Sequence, residues 1–328
     1  MQVLMTEAAH GRIAGRLAAL APDLDVVLVD GADSFSFNGR PIDADAVDPD
    51  IVWSSLDIYP GPLMPTLIRA VLKGSRKPWM QTFNAGLDLP IFKAIMANGV
   101  RITKSSAQAV PIAEYVLAHA LSLIVPIGPQ AGAQAAKTWT RTPYQEVSQS
   151  RWTLIGYGNI GRAIAQRIKP FGAQLTVVRQ SSDNDGLADA VVKQGALPEV
   201  LPQSDVVVLA CPLTDETRDM ANAAFFAAMK PGAILINIGR GGLVDEDALR
   251  VGLDRDQPGH AVLDVFQTEP LPEDHWIWTH PQVRVSAHTS NSGRGTLGRG
   301  DELFLENLKR FLAGERLINE ASPSEVGL

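Results

Sequence analysis

Apolar positions along this chain come in two rhythms that take turns. Short, nearly continuous runs (MQVLM, DVVLVD, DIVWSS, PWMQTF and VRITK) read as strands as far as residue 104. Between them, HGRIAGRLAAL, PLMPTLIRAVLKG and LPIFKAIMANG carry apolar residues at helical spacing. A longer apolar helix is predicted from about Ala107 to Ile124, and PIGPQAG breaks it. A second series then follows, with WTLIG, QLTVV, DVVVLAC, GAILINI, HAVLDV and VRVSA as its strands. DELFLENLKRFLAG is an amphipathic helix with Gly314 as its C-cap. Strands alternating with helices in this way predict an α/β fold with parallel sheets.

Composition narrows the picture. At 328 residues the chain favours two domains, and with 45% hydrophobic and 20% charged residues each can bury a core. The net charge of −7 argues against a nucleic-acid partner, which wants a basic surface. An anionic substrate needs only a local cation, so it stays open. The single cysteine, Cys211, excludes an intramolecular disulfide and fits a reducing compartment. No apolar run approaches the roughly 20 residues of a membrane span, and the start lacks the pattern of a secretory signal. The expectation is a cytoplasmic protein with neither a nucleic-acid nor a membrane partner. No paired-His helix or cysteine cluster marks a metal site.

WTLIGYGNIGRAIAQRIKPFG is the most informative stretch. It reads as strand, glycine turn, then helix, the context that a G-x-G-x-x-G needs before it means anything. Gly156 permits the tight turn, Gly158 lets backbone approach a pyrophosphate, and Gly161 lets the helix pack close. With Asn159 and Ile160 they open a helix whose free N–H groups bind phosphate oxygens. This is a dinucleotide site.

The next strand, QLTVV, ends on a cation. In NAD-binding versions an acid about 20 residues on takes the ribose hydroxyls. Here Arg179 stands 23 residues after Gly156, and no acid follows until Asp183. A carboxylate would repel a 2′-phosphate, whereas a guanidinium binds it in bidentate fashion. Gln180 and Ser181 complete the expected pocket edge, with Ser182 a further hydroxyl. NADP(H) is therefore preferred over NAD(H), which stays possible because arginine also stacks on adenine without discriminating.

GYGNIGRAIA, GAILINIGRGGLVDEDAL, AVLDVFQTEPLP and VSAHTS stand in order and at characteristic spacing. Together they resemble the D-isomer-specific 2-hydroxyacid dehydrogenases, over about residues 80 to 315. IAQRIKPFG and the Arg-ended strand look most like the glyoxylate/hydroxypyruvate reductase branch. The resemblance implies two doubly wound parallel-sheet lobes, a Rossmann-type cofactor domain inserted in a flavodoxin-like substrate domain. Residues 1–104 and 290–328 would form the substrate domain and 105–289 the NAD(P)-binding domain. It also implies a cleft between the lobes and a homodimer packed through the helix near 107–124.

The same resemblance assigns the chemistry. Hydride transfer to a 2-oxo acid leaves charge developing on the carbonyl oxygen, so a proton donor and a cation are needed. Arg240 matches the arginine that orients and polarises the substrate. His288 matches the general acid/base, a role suited to a side chain that titrates near working pH. Glu269, in TEP, matches the acid that pairs with it; a neighbouring carboxylate favours imidazolium and keeps the donor loaded. Asp264 matches a residue near the nicotinamide amide, though a strand-end Asp equally caps a following turn. Cys211, Pro212, Thr217 and Ile238 match cofactor contacts, with Cys211 otherwise a small buried hydrophobe. In NAGLD, Ala85 and Gly86 match backbone donors to the substrate carboxylate, in a loop with fewer glycines than is usual. Trp53, Ser54 and Tyr59 either border a pocket or belong to the core.

Glyoxylate and hydroxypyruvate are the substrates this pattern favours, with D-2-hydroxy acids as products. Phosphoglycerate dehydrogenase is a rival within the fold, and a non-catalytic dinucleotide sensor is the rival outside catalysis, since fold alone does not decide function.

Overall fold

A computed structural model describes residues 1–59 and 62–328. The chain divides into two compact units, Met1–Gln108 with Arg294–Leu328, and Ala109–Gly293. At each crossing these borders stand four residues later than those the resemblance implies.

In the first unit β1 (Gln2–Thr6) passes through α1 (Glu7–Leu20) to β2 (Asp25–Gly31). Thr6 caps α1, its hydroxyl accepting the Ala9 N–H at 3.1 Å. β3 (Ser34–Phe37) and β4 (Arg40–Ile42) then form an antiparallel hairpin on β2, absent from the sequence-based strand set. The signal for it was Asn38-Gly39, whose φ values of 49° and 72° are those a tight hairpin turn demands. β5 (Ile51–Ser54), α2 (Leu63–Lys73), β6 (Trp79–Thr82), α3 (Pro90–Ala97) and β7 (Arg101–Thr103) follow. The sheet runs β4-β3-β2-β1-β5-β6-β7, parallel apart from the hairpin. Leu4, Val52, Met80 and Ile102 pack on one face, and Val3, Met5, Ile51 and Trp53 on the other. Burial on both faces explains why these strands read as unbroken apolar runs.

The second unit opens with α4 (Ala109–Ile124). Pro126 breaks it as expected, yet the residues after the break wind into a further helix, α5 (Ile127–Ala135), bent 56° from α4. The strands and helices then alternate: β8 (Arg151–Ile155), α6 (Asn159–Ile168), β9 (Gln174–Val178), β10 (Ala190–Val192), α7 (Leu197–Val200), β11 (Val206–Leu209) and α8 (Ala223–Ala228). β12 (Ile234–Asn237), α9 (Glu246–Leu253), β13 (His260–Leu263) and β14 (Val283–Val285) complete it. All described pairings in this sheet are parallel, in the order β10-β9-β8-β11-β12-β13-β14. The chain leaves β8 in one direction and returns to its other side at β11. A ligand crevice lies at such a switch point, outside the carboxyl ends of the two strands.

α10 (Thr296–Leu312) belongs to the first unit and starts five residues earlier than the amphipathic run predicts. Its Phe304 stacks on Trp53 at 5.3 Å, so Trp53 is core rather than pocket wall. Gly314, at φ +69°, ends the helix as expected. Among the described residues no single helix is long and apolar enough to cross a membrane.

Candidate active site

The three glycines after β8 turn out to have different physical reasons. Gly156 sits at φ +101°, and a Cβ there would lie 2.5 Å from the Cys211 nitrogen, because β8 and β11 run side by side. A Cβ on Gly161 would lie 2.4 Å from the Gly156 carbonyl oxygen. Both are required by the fold. A Cβ on Gly158 would meet nothing within 4 Å. No packing demands glycine there, whereas a phosphate approaching bare backbone would. Gly158 is also the N-cap of α6, so Asn159, Ile160 and Gly161 form the first turn, the end of a helix that favours an anion. These residues fit the pyrophosphate of a dinucleotide.

Arg179 follows β9 directly, its N–H donating to the Val192 carbonyl at 3.0 Å. Its guanidinium carbon lies 5.7 Å from the centre of the Tyr157 ring, over one wall of the glycine loop. Gln180 is exposed and Ser181 half-buried, the Ser181 hydroxyl donating to Asp183. Asp185, outside the sequence-based set, closes the same patch. Its carboxylate accepts the Tyr157 hydroxyl at 3.0 Å and the Arg162 Nε–H at 2.8 Å. Burial and the Asp185 carboxylate push the Tyr157 phenol up to about 12.

At the end of β11 the Cys211 thiol is pushed up to about 11 by burial, and its Sγ lies 3.8 Å from the Met220 Sδ. Such a thiol is inert at neutral pH. The Thr217 hydroxyl ties its loop together, donating to the Pro212 carbonyl at 2.8 Å and accepting the Thr214 N–H at 2.8 Å. Ile238, just beyond β12, is 6% exposed and packs in the core beneath α4 and α6.

Arg240 stands three residues past β12. Buried Asn237 shapes its turn, donating from Nδ2 to the Arg240 carbonyl at 2.9 Å and accepting the Gly239 N–H at 3.1 Å. Arg240 Nη1 donates to the Gly239 carbonyl at 2.7 Å. The next residue, Gly241, is pressed so close to the Phe266 backbone that a Cβ would come within 1.8 Å of the Phe266 carbonyl carbon. Only glycine fits, and the arginine's loop is thereby seated against the segment that leads to Glu269.

Glu269 uses both carboxylate oxygens. Oε1 accepts the Phe266 N–H at 3.0 Å, and Oε2 lies 2.8 Å from Nδ1 of His288. Both side chains are partly open to solvent, at 37% and 45%. With Nδ1 occupied, Nε2 is the nitrogen left to exchange a proton with a substrate.

His288 has a backbone φ of +53°, a conformation that L-residues avoid and that surrounding structure must impose. Asp264 imposes it. The Asp264 carbonyl accepts the His288 N–H at 2.8 Å, and its Oδ1 accepts the Thr289 N–H at 2.8 Å and the Ser286 hydroxyl at 2.6 Å. The Ser290 N–H and hydroxyl also reach this carboxylate, which is 1% exposed. Tyr115 on α4 extends the network, its hydroxyl 2.7 Å from that of Ser286. Ser286, Ser290 and Tyr115 were absent from the sequence-based set; the serines flanking His288 in VSAHTS were the available signal.

In the first unit, Ala85 is exposed and Gly86 half-buried in the loop after β6. Asn84 at the head of that loop is held by the Tyr59 hydroxyl and by the Thr82 hydroxyl, which donates at 3.0 Å.

Comparison with known proteins matches residues 117–290 to the profile described as D-isomer specific 2-hydroxyacid dehydrogenase, NAD binding domain. A human glyoxylate reductase/hydroxypyruvate reductase is 37% identical over 176 residues, 53% of each chain. A D-3-phosphoglycerate dehydrogenase of Bacillus subtilis is 33% identical over 211 residues, 63% of this chain and 40% of that enzyme. The matched part is thus about half of the one relative and less of the other. The solved structure of a D-isomer specific 2-hydroxyacid dehydrogenase from Xanthobacter autotrophicus, in complex with NADPH and MES, is 25% identical. It superposes with a TM-score of 0.78, covering 99% of both chains. With the profile covering more than half of its length, this chain belongs to the D-isomer specific 2-hydroxyacid dehydrogenases, a family of NAD(P)-dependent enzymes.

Proposed function

We propose that this enzyme reduces small 2-oxo acids to D-2-hydroxy acids with NADPH, glyoxylate and hydroxypyruvate being the first candidates. The observation that carries the reaction is the 2.8 Å contact between Glu269 and His288 Nδ1, which turns Nε2 toward proton exchange. The nicotinamide supplies the hydride when bound. His288 donates the proton to the carbonyl oxygen, Glu269 keeps the imidazole oriented, and Arg240 polarises the carbonyl. Asp264 holds the turn that presents His288. The assignment of Ala85 and Gly86 to the substrate carboxylate rests on the NAGLD motif.

The cofactor preference rests on Arg179. A cation in the place of the ribose-binding acid favours a 2′-phosphate, and the NADPH-bound Xanthobacter relative supports the same choice. The name of the human relative supports glyoxylate and hydroxypyruvate. The single cysteine and the family pattern support a cytoplasmic homodimer.

Initial rates of NADPH and NADH oxidation, with glyoxylate and then hydroxypyruvate, test the proposal. A strong NADPH preference that is lost in Arg179→Asp supports it. Equal rates with the two cofactors would keep the reductase and remove Arg179 from 2′-phosphate binding. Turnover confined to phosphohydroxypyruvate would favour the phosphoglycerate dehydrogenase reading. Cofactor binding without turnover of any small oxo acid would point to a sensor.

A further inference from the structure

Four side chains meet beside the end of β9, drawn from three segments. Tyr157 lies inside the glycine loop, Arg162 in the first turn of α6, and Arg179 and Asp185 in the loop after β9. The Arg179 guanidinium covers the Tyr157 ring. One Asp185 oxygen accepts the Tyr157 hydroxyl at 3.0 Å and the Leu187 N–H at 3.2 Å, and the other accepts Arg162 Nε–H at 2.8 Å. Both guanidiniums act on the Tyr157 hydroxyl in the sense opposite to Asp185, which places all four groups in one electrostatic cluster. Partial burial pushes the Asp185 carboxyl up, but the Leu187 N–H, the Tyr157 hydroxyl and Arg162 outweigh it and hold the carboxyl below its usual range.

A guanidinium, a phenol and a backbone N–H converging on one anion are the donors that a phosphate also recruits. The patch carries two cations and one carboxylate, so exchanging that carboxylate for a dianion improves its charge balance. The exchange is also mechanically easy. The Arg162 and Asp185 side chains are 58% and 28% exposed, and an ion pair so placed contributes little to stability. Residues 179–189 have no regular secondary structure, so Asp185 is free to swing without unmaking a strand.

We propose that Asp185 is a built-in stand-in for the 2′-phosphate of the cofactor: it pairs with Arg162, accepts the Tyr157 hydroxyl, and gives way when a 2′-phosphorylated adenosine binds, making Arg162 a second cation of that subsite. This rests on the reading of Arg179 as a 2′-phosphate ligand.

The test is calorimetric binding of adenosine 2′,5′-bisphosphate and of 5′-AMP to the full chain, with folding checked by circular dichroism. Asp185→Asn is expected to bind the bisphosphate about tenfold tighter, by removing a competing charge, and 5′-AMP unchanged. Arg162→Gln is expected to bind the bisphosphate about tenfold more weakly, and Arg162→Lys to recover part of the loss. In an Arg162→Gln background the gain from Asp185→Asn should largely vanish. If Arg179→Gln abolishes the bisphosphate preference while the Asp185 and Arg162 variants match wild type, the stand-in is overturned and the Arg179 reading survives. If wild type shows no preference for the bisphosphate, both fall. Weaker 5′-AMP binding in Asp185→Asn would make Asp185 a ribose acid and also overturn the proposal.

Discussion

The carbonyl oxygen of Asp264 accepts the N–H of His288 at 2.8 Å, while its carboxylate gathers the N–H groups and hydroxyls of the residues around it. One buried acid therefore holds the turn on which the imidazole sits. In Asp264→Ala the Ser286 and Ser290 hydroxyls and the Thr289 and Ser290 N–H groups lose their acceptor. Hydrogen bonds to a charged group are worth about 1.5–3 kcal/mol each and do not add, so a loss of roughly 3–5 kcal/mol is expected in urea unfolding. Turnover should fall as well, and Asp264→Asn, which keeps acceptor capacity at one oxygen, should recover part of both.

His288→Ala should lower kcat by at least about a hundredfold while leaving NADPH affinity within a few-fold of wild type, since proton transfer typically contributes about 10²–10⁴. Stopped-flow turnover beside fluorescence titration of NADPH separates the two. Glu269→Gln should retain part of the orienting contact and lose less. A His288→Ala enzyme with near-normal kcat would remove the residue from the acid/base role.

The glycine loop gives a contrast within three residues. Gly158→Ala should leave the melting temperature nearly unchanged, because its Cβ enters open space, while weakening cofactor binding about tenfold or more. Gly161→Ala should destabilise the fold by about 1–3 kcal/mol, because its Cβ collides with the Gly156 carbonyl. Thermal melts with and without NADPH read both effects. If Gly158→Ala were as unstable as Gly161→Ala, the ligand-based account of Gly158 would fail.

Two histidines tie stability to pH. Burial, then Arg284, holds both His119 and His260 below the ordinary imidazole range. A histidine whose folded pKa is depressed binds fewer protons in the folded state, so its stabilising contribution is present above the unfolded value, about 6.5, and is lost as pH falls below it. Unfolding free energy should therefore decline from about pH 6.5 downward. His119→Phe, which keeps the ring against Tyr115 (now 4.3 Å between centroids), should flatten that decline.

Cys211 sets a separate expectation. With its thiol pushed up to about 11, alkylation by iodoacetamide should be slow at pH 7–8 and accelerate only toward pH 10 and above. Activity should survive the reagent at neutral pH.

The elements that periodicity predicted are those whose strands are buried on both faces or whose helices have one apolar stripe. The hairpin Ser34–Ile42 was missed because its strands alternate and mix polar residues, leaving only Asn38-Gly39 to announce it. α5 was missed because Gly128, Pro129 and Gly132 read as breakers, and none of its residues is buried to supply a stripe. At the candidate site, the Glu269–His288 pairing that the motifs implied is met by a 2.8 Å contact, and Gly156 sits in the tight turn expected of it. Partners brought in from elsewhere were not legible, since neither Tyr115 nor Asp185 lies in a pattern that names its contact. The strand-ending Arg179 was legible as a position, but its seat on Tyr157 is a property of the folded loop alone.

The contact of Gly241 with the Phe266 backbone has an evolutionary consequence. There is no room for a single methyl group between the loop of Arg240 and the segment that bears Glu269. Any side chain at position 241 would have to push the Phe266 backbone aside, so a substitution there must be purged or repaired at once. Descendants of such a chain would be expected to keep glycine at this one position while the residues around it drift.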